Sequence, residues 1–447
     1  MDKTDCDNMT ASPARRIIQV EDKLPWMQAL PLSLQHLFAM FGATVLVPFL
    51  FKVDPATSLL MNGVGTLVYL VVARGKIPAY LGSSFAFIAP VFAIMADPSL
   101  GGYAAAQGGF IVFGLFFIVV SQLVKRVGTG WIEVVFPPAA MGAIVMVIGL
   151  ELAPVATNMA GLTGNQVAEL GIPVYTAITV SLGTLAVTVL GSVLFRGFWA
   201  VIPVLMGVLA GYGLSLVFGI VDLTAVQRAQ WFAAPSLYLP TFEIQAIVVM
   251  MPAFLVILAE HIGHLVVTGN IVGRDLLKDP GLDRSLLGDG LSNVLSGLVG
   301  ATPNTTYGEN IGVMAITRVY SVWVIGGAAL IAIGVSFLGT LAALIRSIPV
   351  PVMGGISLLL FGVIAATGLR MLVEKRVDYT QSRNLILTAL VLVLGLSGTA
   401  VKLGAIELKG MALATVAAIT VSLLFYLLDR LGLSADAAGR ANPSNKP

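Results

Sequence analysis

Long apolar runs recur along the chain from about residue 28 to about residue 430, interrupted by glycine, by proline and by short charged clusters. A helix needs roughly 20 mostly apolar residues to cross a bilayer, and the pattern lays out as fourteen such segments. The third and tenth are too polar to be ordinary spans. The expected fold is therefore an all-α polytopic membrane protein of fourteen transmembrane segments in two inverted seven-segment repeats. Short antiparallel β-strands break segments 3 and 10.

Composition agrees with a membrane chain. Of 447 residues, 57% are hydrophobic and only 11% charged, whereas a soluble protein is about 25% charged. A net charge of +2 leaves no broad basic surface, which excludes nucleic acid as a partner. The single cysteine, Cys6, lies in a polar tail, so neither a disulfide framework nor a thiolate metal site is expected. That tail, MDKTDCDNMTASPARRIIQVEDK, has no early apolar core or cleavage pattern and reads as a retained cytoplasmic segment. Basic residues set the orientation. With both termini inside, the inner segments hold 20 of the 25, among them Arg15, Arg16, Arg74, Lys125, Arg274 and Arg376. The outer segments hold Lys52, Arg228, Arg346, Lys402 and Lys409.

The chain also matches itself. Gln35-His36 aligns with Glu260-His261 at an offset of 225, Asn62-Gly63 with Asp289-Gly290 at 227, and Gly82 with Gly308 at 226. Pro137 and Met141-Gly142 align with Pro349 and Met353-Gly354 at 212. Four matches in the same order define a repeat of seven segments each. Because seven is odd, the second copy enters the membrane upside down, the arrangement that gives secondary transporters two opposed states of similar energy.

Within each copy a proline, Pro78 or Pro303, precedes a short polar stretch, then a glycine, then an apolar helical pattern. Non-helical backbone at membrane depth must be buried in protein or line a wet cavity. AYLGSSFAF and NTTYGENIG are therefore expected to be extended pieces that pair, each followed by a half-helix starting near Ser83 and near Glu309. Two half-helix N-termini would then aim free N–H groups and positive dipole ends at one cavity, suited to an acceptor-rich ligand.

Ionisable residues gather on the same elements. Glu309 opens one half-helix, while Glu260 and His264, four apart, share a face of the eighth segment. Intramembrane carboxylates are costly, about 2.5–3.5 kcal/mol on insertion scales, and so mark function. His261 points about 100° from Glu260 and reads as structural, as does His36; Asp289 is left between a functional and a packing role. Ser83, Ser84 and Phe85 face Glu309 across the pseudo-symmetry axis, and Phe85 is placed to stack on a flat ligand or to pack in the core. A protonated glutamate donates one hydrogen bond and accepts others, so Glu260, Glu309 and His264 are the proton-coupling candidates.

These residues carry a resemblance. Glu309-Asn310-Ile311-Gly312, four residues, then Thr317-Arg318 is similar to the signature of the nucleobase–ascorbate transporter family. SLQHLFAMFGATVLVPFLF, GKIPAYLGSSFAF, FPPAAMGAIV, LAEHIGHLVVT, ATPNTTYGEN and ELKGMALAT look like its bacterial uracil–proton symporter branch. The resemblance covers roughly residues 25–430. It implies a core domain, residues 27–128 and 244–345, and a gate domain, residues 129–243 and 346–432, between tails 1–26 and 433–447. It implies that uracil binds between the domains through Glu260, Glu309 and the backbone amides of Phe85 and Gly308. Ala43 and Tyr307 would shape the pocket and His264 would support Glu260. It further implies a homodimer through the gate domain, an elevator motion, a bacterial inner-membrane location and no cofactor beyond the coupling proton.

Two rivals remain open at this point. The same scaffold could carry a xanthine-like purine or a small anion, although two carboxylates in one site oppose an anion. A membrane metalloenzyme is suggested by His261 and His264 beside Glu260, but their spacing of three departs from the i, i+4 pair that zinc proteases use. A transporter, not an enzyme, is the expected class.

Overall fold

The computed structural model describes residues 17–403 and 406–433. The expectations resting on Cys6, Arg15, Arg16 and the C-terminal tail fall outside those residues. The main helices run in the order α1 (Trp26–Phe51), α2 (Pro55–Val72), α3 (Phe85–Ala96), α4 (Gly102–Val127), α5 (Pro138–Met159), α6 (Val174–Leu194) and α7 (Pro203–Val217). They continue as α8 (Ile244–Val272), α9 (Leu282–Val299), α10 (Gly308–Thr317), α11 (Val322–Ser336), α12 (Val350–Glu374), α13 (Ser382–Leu396) and α14 (Gly410–Arg430). Eight of them, α1, α2, α4, α5, α6, α8, α12 and α14, are long and apolar enough to cross a membrane. The chain is a helical membrane protein.

Local chemistry explains where these helices begin. The Asp54 carboxylate accepts the Ala56 N–H at 3.1 Å and Pro55 opens α2; Ser321 accepts the Trp323 N–H at the start of α11. Prolines at the first turns of α5, α7 and α12 have no N–H to leave unpaired. In lipid, helices associate through small residues that let backbones approach. At the α4–α9 crossing a Cβ on Gly114 would meet the Gly290 carbonyl oxygen at 2.5 Å, and one on Gly290 would meet that of Gly114 at 2.7 Å. The α5–α12 crossing repeats the arrangement with Gly142 and Gly368. Elsewhere bulky rings fill the gaps: Phe87, Phe113, Phe117 and Phe254 interlock at 4.5–6.2 Å and tie α3 and α4 to α8.

The heaviest packing falls within two groups. In one, α4 and α2 clasp α9, while α11 packs on α2 and α1. In the other, α5 and α6 clasp α12, α13 packs on α5, and α7 and α14 complete the layer. Helix α8 touches both groups, reaching α4 on one side and α5 and α14 on the other.

Two extended pieces interrupt the helices at the centre of the first group. Strand β1 (Leu81–Ser83) pairs antiparallel with β2 (Asn304–Thr306) in the register Leu81 to Thr306, Gly82 to Thr305 and Ser83 to Asn304. A two-stranded ribbon still has two outer edges of unpaired amides, and buried polar side chains take them. The Leu81 N–H donates to Thr66 Oγ1 at 2.9 Å. The Asn304 N–H donates to Asn293 Oδ1 at 2.7 Å, and Asn293 Nδ2 returns a bond to the Asn304 carbonyl at 2.9 Å. Asn304 in turn donates from its side chain to Met61 O, Ser292 Oγ and Ser296 Oγ.

Two details differ from the sequence reading. The first half-helix starts at Phe85, as a 3-10 turn through Phe87, and not near Ser83, because Ser83 is still in the strand. Strand β2 begins 223 residues after β1, and in the ribbon Gly82 lies opposite Thr305. A hairpin not foreseen, β3 (Ala400–Leu403) with β4 (Ile406–Lys409), precedes α14.

Replacing Asn304 with Ala removes the side-chain donor to the Met61 carbonyl on α2 and to the Ser292 and Ser296 hydroxyls on α9, at about 1–3 kcal/mol for each group left unpaired. The expected result is a fall of several degrees in the unfolding midpoint in detergent. Asn384→Ala, whose amide reaches only the exposed Asp378 carbonyl, is expected to leave that midpoint unchanged.

Candidate functional site

Helices α3 and α10 both begin where the β1–β2 ribbon ends, so their N-termini are brought to one place by strand pairing. Neither start carries a side-chain cap: Ser84 precedes the first and Tyr307 the second, and neither side chain bonds to the following amides. The first N–H groups of a helix have no partner within it. The two sets of amides, at Phe85 and at Gly308, are therefore left to a ligand or solvent.

Helix α8 supplies the acids' scaffold. It packs on α10, on β2 and on the Phe85–Phe87 turn, because its Glu260–His264 face is polar and the rest of this stretch is apolar and buried. His264 Nδ1 pairs with Thr306 Oγ1 at 3.2 Å, and its Nε2 lies where a Cβ on residue 308 would approach to 3.3 Å. Glycine at 308 thus leaves room for the imidazole against the helix start. Glu260 on α8 and Glu309 on α10 are both half-buried, on two helices that pack against each other.

The other expected site residues divide. Phe85 is buried and meets Phe361 of α12 edge-to-face at 6.1 Å, so its ring touches the second helix group. Ala43 is buried in α1. Tyr307 is committed to the ribbon: its hydroxyl donates to the Ser83 carbonyl at 2.5 Å and its ring covers Gly82, where a Cβ would come within 2.0 Å. Three buried polar atoms around this centre, Ser84 Oγ, Thr305 Oγ1 and Asn310 Nδ2, find no protein partner among the described residues.

Cavities lie on either side of the acids along α8. One of about 370 Å³ is lined by Val249 and Ala253 of α8, Pro90 of α3, and Glu151 and Lys409 of the second group. Another of about 220 Å³ is lined by Ile262, Val266 and Asn270 of α8, with Met141 and Met371 opposite. Glu260 falls between them in the helix.

The family model Xan_ur_permease, described as Permease family, matches residues 27–404. The chain belongs to this permease family. It is 62% identical over 417 residues to the uracil permease of Escherichia coli strain K12, covering 93% of this chain and 96% of that one. It is 60% identical over 416 residues to the uracil permease of Paenibacillus larvae subsp. larvae, covering 93% and 98%. The transmembrane domain of a cyanobacterial bicarbonate transporter, BicA, shares the fold at a TM-score of 0.59 and 16% identity, over 92% of this chain and 99% of that one.

Two polar pairs of the permease support the site; from sequence His36 and His261 read as structural, and Asp289 stands between a functional and a packing role. His36 Nδ1 lies 2.5 Å from Asn310 Oδ1, which fixes α1 to the first turn of α10 beside Glu309. His261 Nδ1 lies 2.9 Å from Asp289 Oδ2, both fully buried, and His261 Nε2 pairs with Ser285 Oγ at 2.8 Å, which meets the Tyr69 hydroxyl at 2.6 Å. The signal in the sequence was a buried-type polar side chain on an otherwise apolar helix, which needs a polar partner. His261 and His264 therefore serve different partners.

Removing one member of a buried polar pair leaves the other without its partner, at about 1–3 kcal/mol. His261→Ala is accordingly expected to lower permease stability sharply, and adding Asp289→Asn to recover part of the loss. A double-mutant cycle on unfolding midpoints measures the coupling; additive effects would show that the pair does not act as one unit.

Proposed function

We propose that this permease carries uracil across the bacterial plasma membrane together with protons, by alternating access of a single central site. The observation that carries the reading is the convergence of Glu260 and Glu309 on two uncapped half-helix starts, with His264 held against one of them. Uracil has two ring N–H donors and two carbonyl acceptors on a flat, uncharged ring. Carboxyls accept the donors, and free amides of Phe85 and Gly308 donate to the carbonyls. Relatives named uracil permease at 60% and 62% identity support this cargo over a purine. Both copies of an acid in one site weigh against a small anion.

The inverted repeat has physical support. Under the pairing of α1 to α7 with α8 to α14, the α4–α9 contact becomes α11–α2, α8–α4 becomes α1–α11, and α6–α12 becomes α13–α5; all six occur. Gly290 against Gly114 has its mate in Gly63, 227 residues earlier, where a Cβ would meet the Ala329 carbonyl at 2.6 Å. We take the eight long helices, the shorter α3, α7, α11 and α13, and the polar α9 and α10 as fourteen membrane segments. The two packing groups then correspond to core and gate domains, with α8 and Phe85 facing the gate. The two cavities flanking Glu260 along α8 suit paths toward opposite sides. Cytoplasmic termini, from the basic-residue bias, and a homodimer through the gate domain complete the reading.

Uracil uptake into proteoliposomes is expected to require an inward proton gradient. With one proton on the pair, the variant that removes the ionised carboxylate loses a charge-assisted hydrogen bond worth about 1.5–3 kcal/mol, so at least one of Glu260→Gln and Glu309→Gln should weaken uracil binding by roughly tenfold or more. Accumulation that ignores the gradient would overturn proton coupling. Binding of xanthine but not uracil would overturn the cargo.

A further inference from the structure

Two cavities on the flank of the molecule, away from the acids, adjoin each other. The first, about 250 Å³, has apolar walls from both helix groups, including Phe41 of α1, Leu59 of α2 and Val208 of α7. Its few polar lining groups are already engaged: Tyr212 with Ser347 at 2.7 Å and Thr44 with Asn62. Leu209 and Leu344 also line it and are 56% and 40% exposed, so the chamber opens sideways onto the bilayer. The second cavity, about 320 Å³, shares Val45, Pro55 and Ile345 with the first and adds Lys52 and Arg346.

Those two cations are exposed and have no carboxylate within ion-pair distance among the described residues. The one acid in the lining, Asp54, is spent on backbone N–H groups of Ala56 and Ser236, both at 3.1 Å. Lys52 follows α1 and Arg346 ends the short helix Gly339–Arg346, so each offsets helix C-terminal carbonyls. That role explains a charge at each helix end. It does not explain why both charges share one cavity, nor why that cavity continues into an apolar chamber open to lipid.

We propose that the paired cavities form a binding site for an anionic phospholipid drawn from the surrounding bilayer. One acyl chain occupies the apolar chamber, and the phosphate lies between Lys52 and Arg346, where the guanidinium can bond two phosphate oxygens and the ammonium acts as a point charge. A net-neutral lipid brings its own cation to a place where Lys52 and Arg346 already outnumber the Asp54 carboxylate, so the site prefers a headgroup without one. Because its walls come from α1 and α2 on one side and α7 on the other, the bound lipid lies in the seam between the helix groups. The site is independent of which solute the permease carries.

Native mass spectrometry of the full chain, released from detergent after titration with phosphatidylglycerol or phosphatidylcholine, tests this. Phosphatidylglycerol is expected to stay bound preferentially. Retention should fall on the order of fivefold for Lys52→Gln or Arg346→Gln and roughly twenty-five-fold for both, at about one fivefold step per cation beside an anionic headgroup. Val208→Phe, which fills the chamber and leaves the cations in place, should also lower retention, whereas Lys402→Gln on the distant hairpin should not. Unchanged unfolding midpoints certify each variant as folded. Equal retention by the double variant, no preference for phosphatidylglycerol, or displacement by glycerol 3-phosphate at matched concentration would each overturn the proposal, the last by reassigning the cations to a soluble anion.

Discussion

Backbone amides cannot be left unpaired in a bilayer, and the β1–β2 ribbon is how this chain meets that demand while breaking two helices. Three residues from each strand pair with each other, Thr66 and Asn293 close the outer edges, and the Asn304 side chain ties the ribbon to α2 and α9. Only because those groups are satisfied can α3 and α10 start in the middle of the helix bundle. Their exposed N–H groups, the placement of Glu309, and the contact between His264 and Gly308 all follow from that start. The buried asparagines are thus structural parts of the site, although none of them faces the acids.

Much of this was legible because the relevant rules act locally. Length and hydropathy identify the long helices, and the spacing of Glu260 and His264 puts them on one face whatever the tertiary fold. The polar stretch after Pro303 signals a break, because few other arrangements tolerate it in lipid. Tertiary neighbours decided the rest. Gly82 and Gly308 align in sequence, yet Gly82 is small so that the Tyr307 ring can lie on it and Gly308 so that His264 can approach. Similar residues with different reasons left the expected half-helix start short of Phe85, where the turn begins. The β3–β4 hairpin was missed since four-residue strands beside an apolar helix give no distinct period.

Histidines show the same limit. From sequence, His36 and His261 are a polar side chain on an apolar helix, which says only that some partner exists. In the fold each finds one: Asn310 beside the site for His36, Asp289 and Ser285 for His261. Both pairs join helices that pack on one another, α1 on α10 and α8 on α9. The polar bonds therefore fix direction and register where close backbone packing alone would permit sliding.

Charge arithmetic at the centre then bears on what the site can accept. Each half-helix start contributes about half a positive charge, so two starts offer about +1 to the space between them. Two ionised glutamates there would contribute −2, leaving an excess that repels anions and strains a poorly solvated site. One proton on the pair brings the sum near zero, and the protonated carboxyl also gains a donor. A flat, uncharged ring with alternating donors and acceptors suits that balanced state better than either charged extreme. On the proposed reading, proton and uracil travel together because each completes the electrostatics that the other requires, and no separate signalling path between distant sites is needed.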